Sequence, residues 1–256
     1  MGRHRPKKLT TWTLIKSVKA EVEKPFKEKL ERTLTLLKLF ANDEKACIAC
    51  SFGKDSLVVL YLALGINPKI KVQFSDTGIE FPETIKLARQ LRDQWNLNLS
   101  ITKPQTTFWK LLDRIKREKL TLDDGRKHSN ICCYHLKEKP FKLWAKKEKV
   151  NRSITGITAI ESRHRMFVAC KKGMEYYAYR DKMWKVHPLL YWTTEEVWDF
   201  IAKNNIPVNE AYKKYNIDRV GCMWCMSHLG WREQIARINP KVYAFMQKKY
   251  FNQMVF

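Results

Sequence analysis

Ser51-Phe52-Gly53-Lys54-Asp55-Ser56 packs two hydroxyls, an ammonium, a carboxylate and a glycine into six residues. The apolar run Ala46 to Cys50 leads into it, and Leu57, Val58, Val59, Leu60 and Leu62 follow, which predicts a buried strand, a tight loop and a helix. Gly53 is expected to make the turn and to let backbone amides approach a ligand. The start of the helix adds unpaired amides and the positive end of its dipole, so this segment can hold an anion such as phosphate. The spacing is not that of the Walker loop, which is longer and ends in Gly-Lys-Ser/Thr. An ordinary strand-to-helix turn shares this pattern, so the six residues do not decide alone.

A second group is built from sulfur. Four of the seven cysteines fall into two pairs, Cys132-Cys133 and Cys222-x-x-Cys225, with 88 residues between the pairs. A Cys-x-x-Cys turn aims two sulfurs at one centre, usually zinc or an iron–sulfur cluster. Adjacent cysteines serve one tetrahedral ion poorly because neighbouring side chains diverge, whereas a cuboidal cluster offers separate irons. Cys47, Cys50 and Cys170 are expected to have no ligand role, the first two lying in a core strand.

The elements that must position these groups alternate. Positions Phe26 to Phe40 recur at helical spacing, and a strand at 46–50, helix 55–65, strand 70–74, helix 82–95 and strand 98–101 follow. This predicts an α/β fold with a Rossmann-like parallel sheet, helices on both faces and ligands beyond the carboxyl ends of the strands. Phe108 to Ile115 reads as a helix and Asp123-Asp124-Gly125 as a turn. A lysine-rich helix is expected over 136–149 and a strand over 154–157. Residues 174–191 read as loop and short strand, residues 193–198 open a Thr-capped helix, and residues 231–251 read as one closing helix despite Pro240. The expected division is a basic arm and helix (1–40), the main domain (41–226) with a cysteine-bearing C-terminal part, and a packed C-terminal helix (227–256).

With 256 residues the chain can bury a full core. Its 49 Lys and Arg against 26 Asp and Glu give a net charge of +23, which points to a polyanion: nucleic acid, nucleotide or acidic protein. A lysine-rich surface without a ligand has the same composition. The absence of a long apolar run argues against a membrane partner. MGRHRPKK lacks the apolar region of a signal peptide, and Pro6 stands where a myristoylation motif needs Ser or Thr, so a cytoplasmic protein is expected.

SFGKDS resembles the PP-loop of the adenine nucleotide alpha hydrolase superfamily, whose ATP pyrophosphatase members carry SGGKDS; Phe52 replaces the second-position glycine. Asp76-Thr77-Gly78-Ile79-Glu80-Phe81-Pro82-Glu83-Thr84 resembles the DTG-x-x-FPET signature of the phosphoadenosine phosphosulfate (PAPS) reductase family. The tandem cysteines followed by CxxC are similar to the 4Fe–4S ligand set of adenosine phosphosulfate (APS) reductases. Cys132 to Phe141 is similar to their CC-x-x-x-K-x-x-P-L segment, with Lys137 on the family lysine near cluster and substrate. Gly156 to Arg165 resembles G-x-R-x-x-[EQ]-S-x-x-R: Glu161, Ser162 and Arg165 match, and Thr158 replaces the first arginine. His187 to Trp198 is similar to a PL-x-x-W scaffold stretch.

The resemblance implies an adenine nucleotide held by Ser51, Phe52, Gly53, Lys54, Asp55, Ser56, Asp76, Thr77, Gly78, Glu161, Ser162 and Arg165. It implies a 4Fe–4S cluster on Cys132, Cys133, Cys222 and Cys225, and catalytic roles for Lys54, Asp55, Asp76, Lys137 and Arg165. Arg165 can pair bidentately with phosphate or sulfate oxygens, whereas Arg163 reads as part of a solvated basic loop. APS and PAPS reductases attack with a C-terminal Glu-Cys-Gly thiolate, and no cysteine follows Cys225 here. The leading expectation is therefore an enzyme that cleaves ATP with Mg²⁺, placed by Asp55 and Asp76, to activate a tRNA or DNA acceptor for sulfur transfer. The alternatives are a sulfonucleotide reductase drawing its thiol from a redox partner, and a binding protein without catalysis.

Overall fold

The computed structural model describes residues 11–118, 131–226 and 230–251. The basic cluster Arg3 to Lys8 and the turn expected at Asp123-Asp124-Gly125 lie outside them. In chain order the elements are α1 (Thr11–Val22), α2 (Phe26–Ala41), β1 (Ala46–Ala49), α3 (Lys54–Leu64), β2 (Lys71–Ser75), α4 (Pro82–Gln94), β3 (Asn98–Thr102) and α5 (Phe108–Arg117). Residues 131–133 are helical, a π turn covers Tyr134–Glu138, and α6 (Lys139–Lys147) continues from it. Then come β4 (Arg152–Ile154), α7 (Arg163–Lys172), β5 (Glu175–Ala178), β6 (Met183–Val186), α8 (Thr194–Lys203), α9 (Ala211–Lys214), α10 (Trp231–Ile238) and α11 (Pro240–Met246). The strands form a sheet of order β3-β2-β1-β4-β6-β5. The pairs β1–β4, β2–β3 and β4–β6 are parallel, and β5 runs antiparallel to β6. No helix among the described residues is long and apolar enough to cross a membrane.

Two compact units divide the chain. The first holds Met1–Ala49, Lys54–Ile70 and Asn151–Pro207. Its core contains Leu37, Cys47, Ile48, Leu57, Leu60, Ile154 and Leu189, all without exposed surface. Val18 of α1 packs with Ala159, Ala169, Leu190 and Tyr191. The expected cap of α8 is a reciprocal one: Glu196 N donates to Thr193 Oγ1 (3.1 Å), and Thr193 N donates to Glu196 Oε2 (2.8 Å). The other carboxylate oxygen of Glu196 takes the buried Lys29 ammonium at 2.5 Å, so the box also neutralises a core charge.

Thr33 on α2 is wholly buried; its hydroxyl donates to Pro188 O (2.8 Å) and accepts from Trp192 Nε1 (3.0 Å). Thr33→Val keeps the shape but leaves both partners buried and unmet, at about 1–3 kcal/mol for each orphaned group. Urea unfolding is expected to show a lower midpoint with an unchanged slope; an unchanged midpoint would remove this bond from the account of stability.

The second unit holds Cys50–Gly53, Lys71–Val150 and Val208–Phe256. Ile79, Phe108, Leu111, Leu112, Ile115, Leu136, Ile235, Met246 and Tyr250 form its main core, with Trp109, Trp224, Cys132 and Cys222 packed against it. The expected closing helix is two helices. Asn239 caps the second, accepting from Val242 N at 3.0 Å, because Pro240 has no N–H to continue the first. The strand expected at 154–157 instead covers 152–154, and its extension is the segment containing Gly156.

A candidate cysteine centre and nucleotide loop

Residues 50–53 join β1 to α3, as the apolar run and the loop composition require. The left-handed turn falls on Phe52 (φ 55°), not on Gly53. A bulky residue there is strained. Its ring has no exposed surface and sits edge-on to Phe74, 5.3 Å between centroids, so burial holds the conformation. Gly53 supplies room: a Cβ would lie 3.3 Å from Tyr212 Oη and 3.7 Å from Val220 O. Asn209, buried and not singled out by the sequence, donates to Phe52 O (3.5 Å) and Thr84 Oγ1 (2.8 Å), tying the loop to the start of α4.

In the first turn of α3 the Lys54 ammonium lies 3.0 and 2.8 Å from the two Asp55 carboxylate oxygens, and Ser56 is buried. Gly156 packs on this turn. A Cβ there would lie 2.5 Å from the Asp55 carbonyl carbon and oxygen and 2.6 Å from Ser56 N. Further along, the solvated basic loop expected at Arg163 is the start of α7, which also carries Arg165. Ser162 caps it by accepting from Arg165 N (3.2 Å), and the Arg165 guanidinium pairs with Glu161. Thus Glu161, Ser162 and Arg165 come together as one cap and ion pair. His187, buried, has Nδ1 2.7 Å from Thr155 Oγ1. Burial, with help from Lys185 and Arg165, pushes its pKa down to about 4, so it is neutral at pH 7.

Asp76, Thr77 and Gly78 follow β2. Asp76 Oδ1 accepts from Gly78 N (3.0 Å), and Gly78 takes φ 77°, the left-handed region that favours glycine. Thr77 Oγ1 lies 2.8 Å from Glu80 Oε1 and 3.5 Å from Cys222 Sγ. Cys222 Sγ is 3.6 Å from the same Glu80 oxygen, and Lys137 Nζ is 3.7 Å from it. Met223 N donates to Ile79 O (2.7 Å), which fixes the Cys-x-x-Cys turn beside this segment. Glu80, 3% exposed at its side chain, occupies a variable position of the signature, and only the fold reveals that it faces sulfur.

None of the seven cysteines is in a disulfide, and Cys132, Cys133, Cys222 and Cys225 line one cavity with Lys137, Ile79, Phe108, Leu136, Trp224 and Met226. The cavity measures about 370 Å³ counted out to its solvent mouth. Cys132 and Cys133 sit on the helical turn before the π turn, where successive side chains diverge by about 100° rather than by the 180° of a strand. Both can therefore line a wide cavity. Among the described residues no three His, Cys, Asp or Glu side chains converge on a single-ion position. Four thiols spread around a space, with apolar walls, suit a polynuclear cluster better than one tetrahedral ion. Burial, then the neighbouring thiols, pushes Cys132 up to about 12. Burial, opposed by Lys137, pushes Cys222 up to about 12 as well. Burial alone would lower the Lys137 pKa, but Cys222, Glu80, Cys133 and Cys225 outweigh it and raise it. Cys47 and Cys50 are buried in and after β1, and Cys170 lies on α7, all outside this cavity.

The mostly parallel sheet, with its strand–loop–helix at 46–64, defines a Rossmann-like α/β protein. The chain belongs to the phosphoadenosine phosphosulfate reductase domain family, whose model matches residues 45–228. It is 31% identical over 187 residues to an adenosine 5'-phosphosulfate reductase of Staphylococcus epidermidis, covering 70% of this chain and 69% of that protein. Among solved structures it is similar to a phosphoadenylyl-sulfate reductase from Candida auris in a phosphate complex. There the TM-score is 0.55 and the identity 21%, over 84% of this chain and 96% of that one. The U34-tRNA thiolase NcsA from Methanococcus maripaludis, solved with its [4Fe-4S] cluster, shares the fold at TM-score 0.51 and 17% identity, over 94% of this chain and 75% of that one.

Proposed function

We propose that this protein is a sulfonucleotide reductase-type enzyme acting on an adenylate that carries sulfate. The observation that supports this reading is the meeting of Thr77 and Glu80, from the Asp76–Thr84 segment, with Cys222 and Lys137. It joins a nucleotide-type motif to the cysteine set at hydrogen-bond range. Cys132, Cys133, Cys222 and Cys225 would hold a 4Fe–4S cluster, which when bound would supply a redox-active, negatively charged centre beside Lys137. The loop Ser51–Ser56 would receive the nucleotide phosphate on its amides, with Asp76, Thr77 and Gly78 as a further nucleotide-binding segment. Arg165 would pair with an anionic oxygen by exchanging its partner Glu161. Lys137 would offset the negative charge of the sulfate. A thiolate from a redox partner attacks the sulfate sulfur; an S–S bond forms, the S–O bond breaks and the adenylate leaves. A second thiolate then attacks the partner sulfur, forming a disulfide and releasing sulfite.

A second reading, ATP cleavage with sulfur transfer to a tRNA or DNA acceptor, is favoured by the Lys54-Asp55-Ser56 sequence and the net charge of +23. It asks more of the loop, because Lys54 is committed to Asp55. The family relative named for APS also puts weight on the first reading. The test is product analysis of anaerobically prepared protein given APS, PAPS or ATP with Mg²⁺, each with a dithiol. Sulfite and an adenylate from APS or PAPS support the reading; pyrophosphate from ATP alone would replace it with the second. Lys137→Ala is expected to weaken sulfonucleotide binding by about 1.5–3 kcal/mol, the loss of one charge-assisted contact.

A further inference from the structure

Trp224 is the third residue of the Cys222–Cys225 turn and lines the cavity with all four thiols. Its indole nitrogen is buried and meets no hydrogen-bond partner among the described residues. An indole N–H can only donate, and native interiors leave few such donors unmet. The ring is held by Trp109 at 5.2 Å and Phe108 at 6.0 Å between centroids, and Cys225 N closes the turn on Cys222 O (3.2 Å). The other orphan among the described residues, Glu83 Oε2, is a different case: its carboxylate is already met at Oε1 by Lys214 and Tyr215. Around Trp224 the other walls are Ile79, Phe108 and Leu136, which have no side-chain acceptor, Met226, whose thioether sulfur is a weak one, and the ammonium of Lys137, itself a donor. The acceptor must come from sulfur or from what the sulfurs bind.

We propose that the Trp224 indole N–H donates a hydrogen bond to a sulfur of the iron–sulfur cluster held by Cys132, Cys133, Cys222 and Cys225, and thereby raises its reduction potential. This rests on the cluster reading above. A donor aimed at sulfur stabilises the more negatively charged, reduced state, and hydrogen bonds to the sulfurs are among the factors that set cluster potentials. Trp224 is a positioning and tuning residue, not a ligand.

Iron and sulfide content of anaerobically prepared wild-type protein tests the cluster reading by itself; zinc without iron would overturn that reading and this inference with it. With iron present, Trp224→Phe removes the donor and keeps an aromatic ring. An EPR-monitored redox titration is expected to move to a more negative potential at unchanged iron content. The reduced wild-type cluster should show an exchangeable proton coupling that disappears in deuterium oxide and is missing in Trp224→Phe. Equal potentials together with identical proton couplings would overturn the inference while leaving the cluster reading intact. Should Trp224→Phe fail to hold iron, wild-type protein carrying indole-¹⁵N tryptophan decides: nitrogen coupling to the reduced cluster supports the bond, and its absence overturns it. A bridging water in place of the direct bond gives no nitrogen coupling and counts against the proposal.

Discussion

Cys222→Ser is expected to strip anaerobically prepared protein of most of its iron, whereas Cys170→Ser leaves iron content at the wild-type level. Cys222 Sγ lies beside Thr77 Oγ1 and Glu80 Oε1, and Lys137 Nζ meets the same Glu80 oxygen. Serine offers a harder oxygen of much higher proton affinity, a poor substitute where soft thiolates are preferred. The metal-free thiols of Cys132 and Cys222 stand at about 12, so loading must release protons, and iron retention is expected to fall as pH is lowered. Iron counts unchanged in Cys222→Ser, or equally reduced in Cys170→Ser, would detach the metal from this cavity.

Gly156→Ala carries the second large effect. Its new Cβ would meet the Asp55 carbonyl carbon and oxygen at 2.5 Å and Ser56 N at 2.6 Å, and all three are backbone atoms of a helix start that cannot swing aside. Overpacking of this kind costs about 1–3 kcal/mol, and more when backbone must move. The shift falls on the peptide that presents Lys54, Asp55 and Ser56, so loss of nucleotide affinity should accompany the loss of stability. Gly65→Ala is the matched control at the other end of α3, where a Cβ meets Leu62 O at an ordinary 3.5 Å. Thermal unfolding and nucleotide titration of both variants decide; a Gly156→Ala protein that melts and binds like wild type would end this account of the loop.

These two positions show how unevenly the sequence could be read. The alternating elements from β1 to β3 were legible because apolar runs and Pro82 at a helix start are local signals. The cysteine pairs were legible as a set, since spacing and residue type narrow the chemistry. Gly156 was visible only as a letter in a motif, because its reason is a contact with residues about a hundred positions earlier. Glu80 was hidden for the same cause, and so was Trp224, whose indole reads as core until its unmet N–H is located. Phe52 reversed an expectation: glycine's freedom favours Gly53 for the turn, but aromatic burial against Phe74 overrides the local φ preference. The closing helix was overextended because the pattern of apolar residues continues through Pro240, while the hydrogen bonds do not.

The π turn has a consequence for insertions and deletions. Lys139 N bonds Tyr134 O, five residues back, so the helix from Ile131 to Lys147 carries one residue more than an α-helix of the same span. That surplus residue is absorbed in the wide turn, so the halves on either side keep the phase of one α-helix. Cys132 and Cys133 are in the first half, Lys137 lies inside the wide turn, and Phe141, Trp144 and Ala145 belong to the second. Deleting one residue from Tyr134–Glu138 would restore an α-helix and leave the cysteine pair in phase with α6, whereas deleting one residue within α6 would rotate the pair by about 100° relative to the remainder of that helix. Among descendants of this chain, a one-residue deletion within α6 should therefore travel with loss of the cysteines, whereas one within Tyr134–Glu138 displaces Lys137 alone.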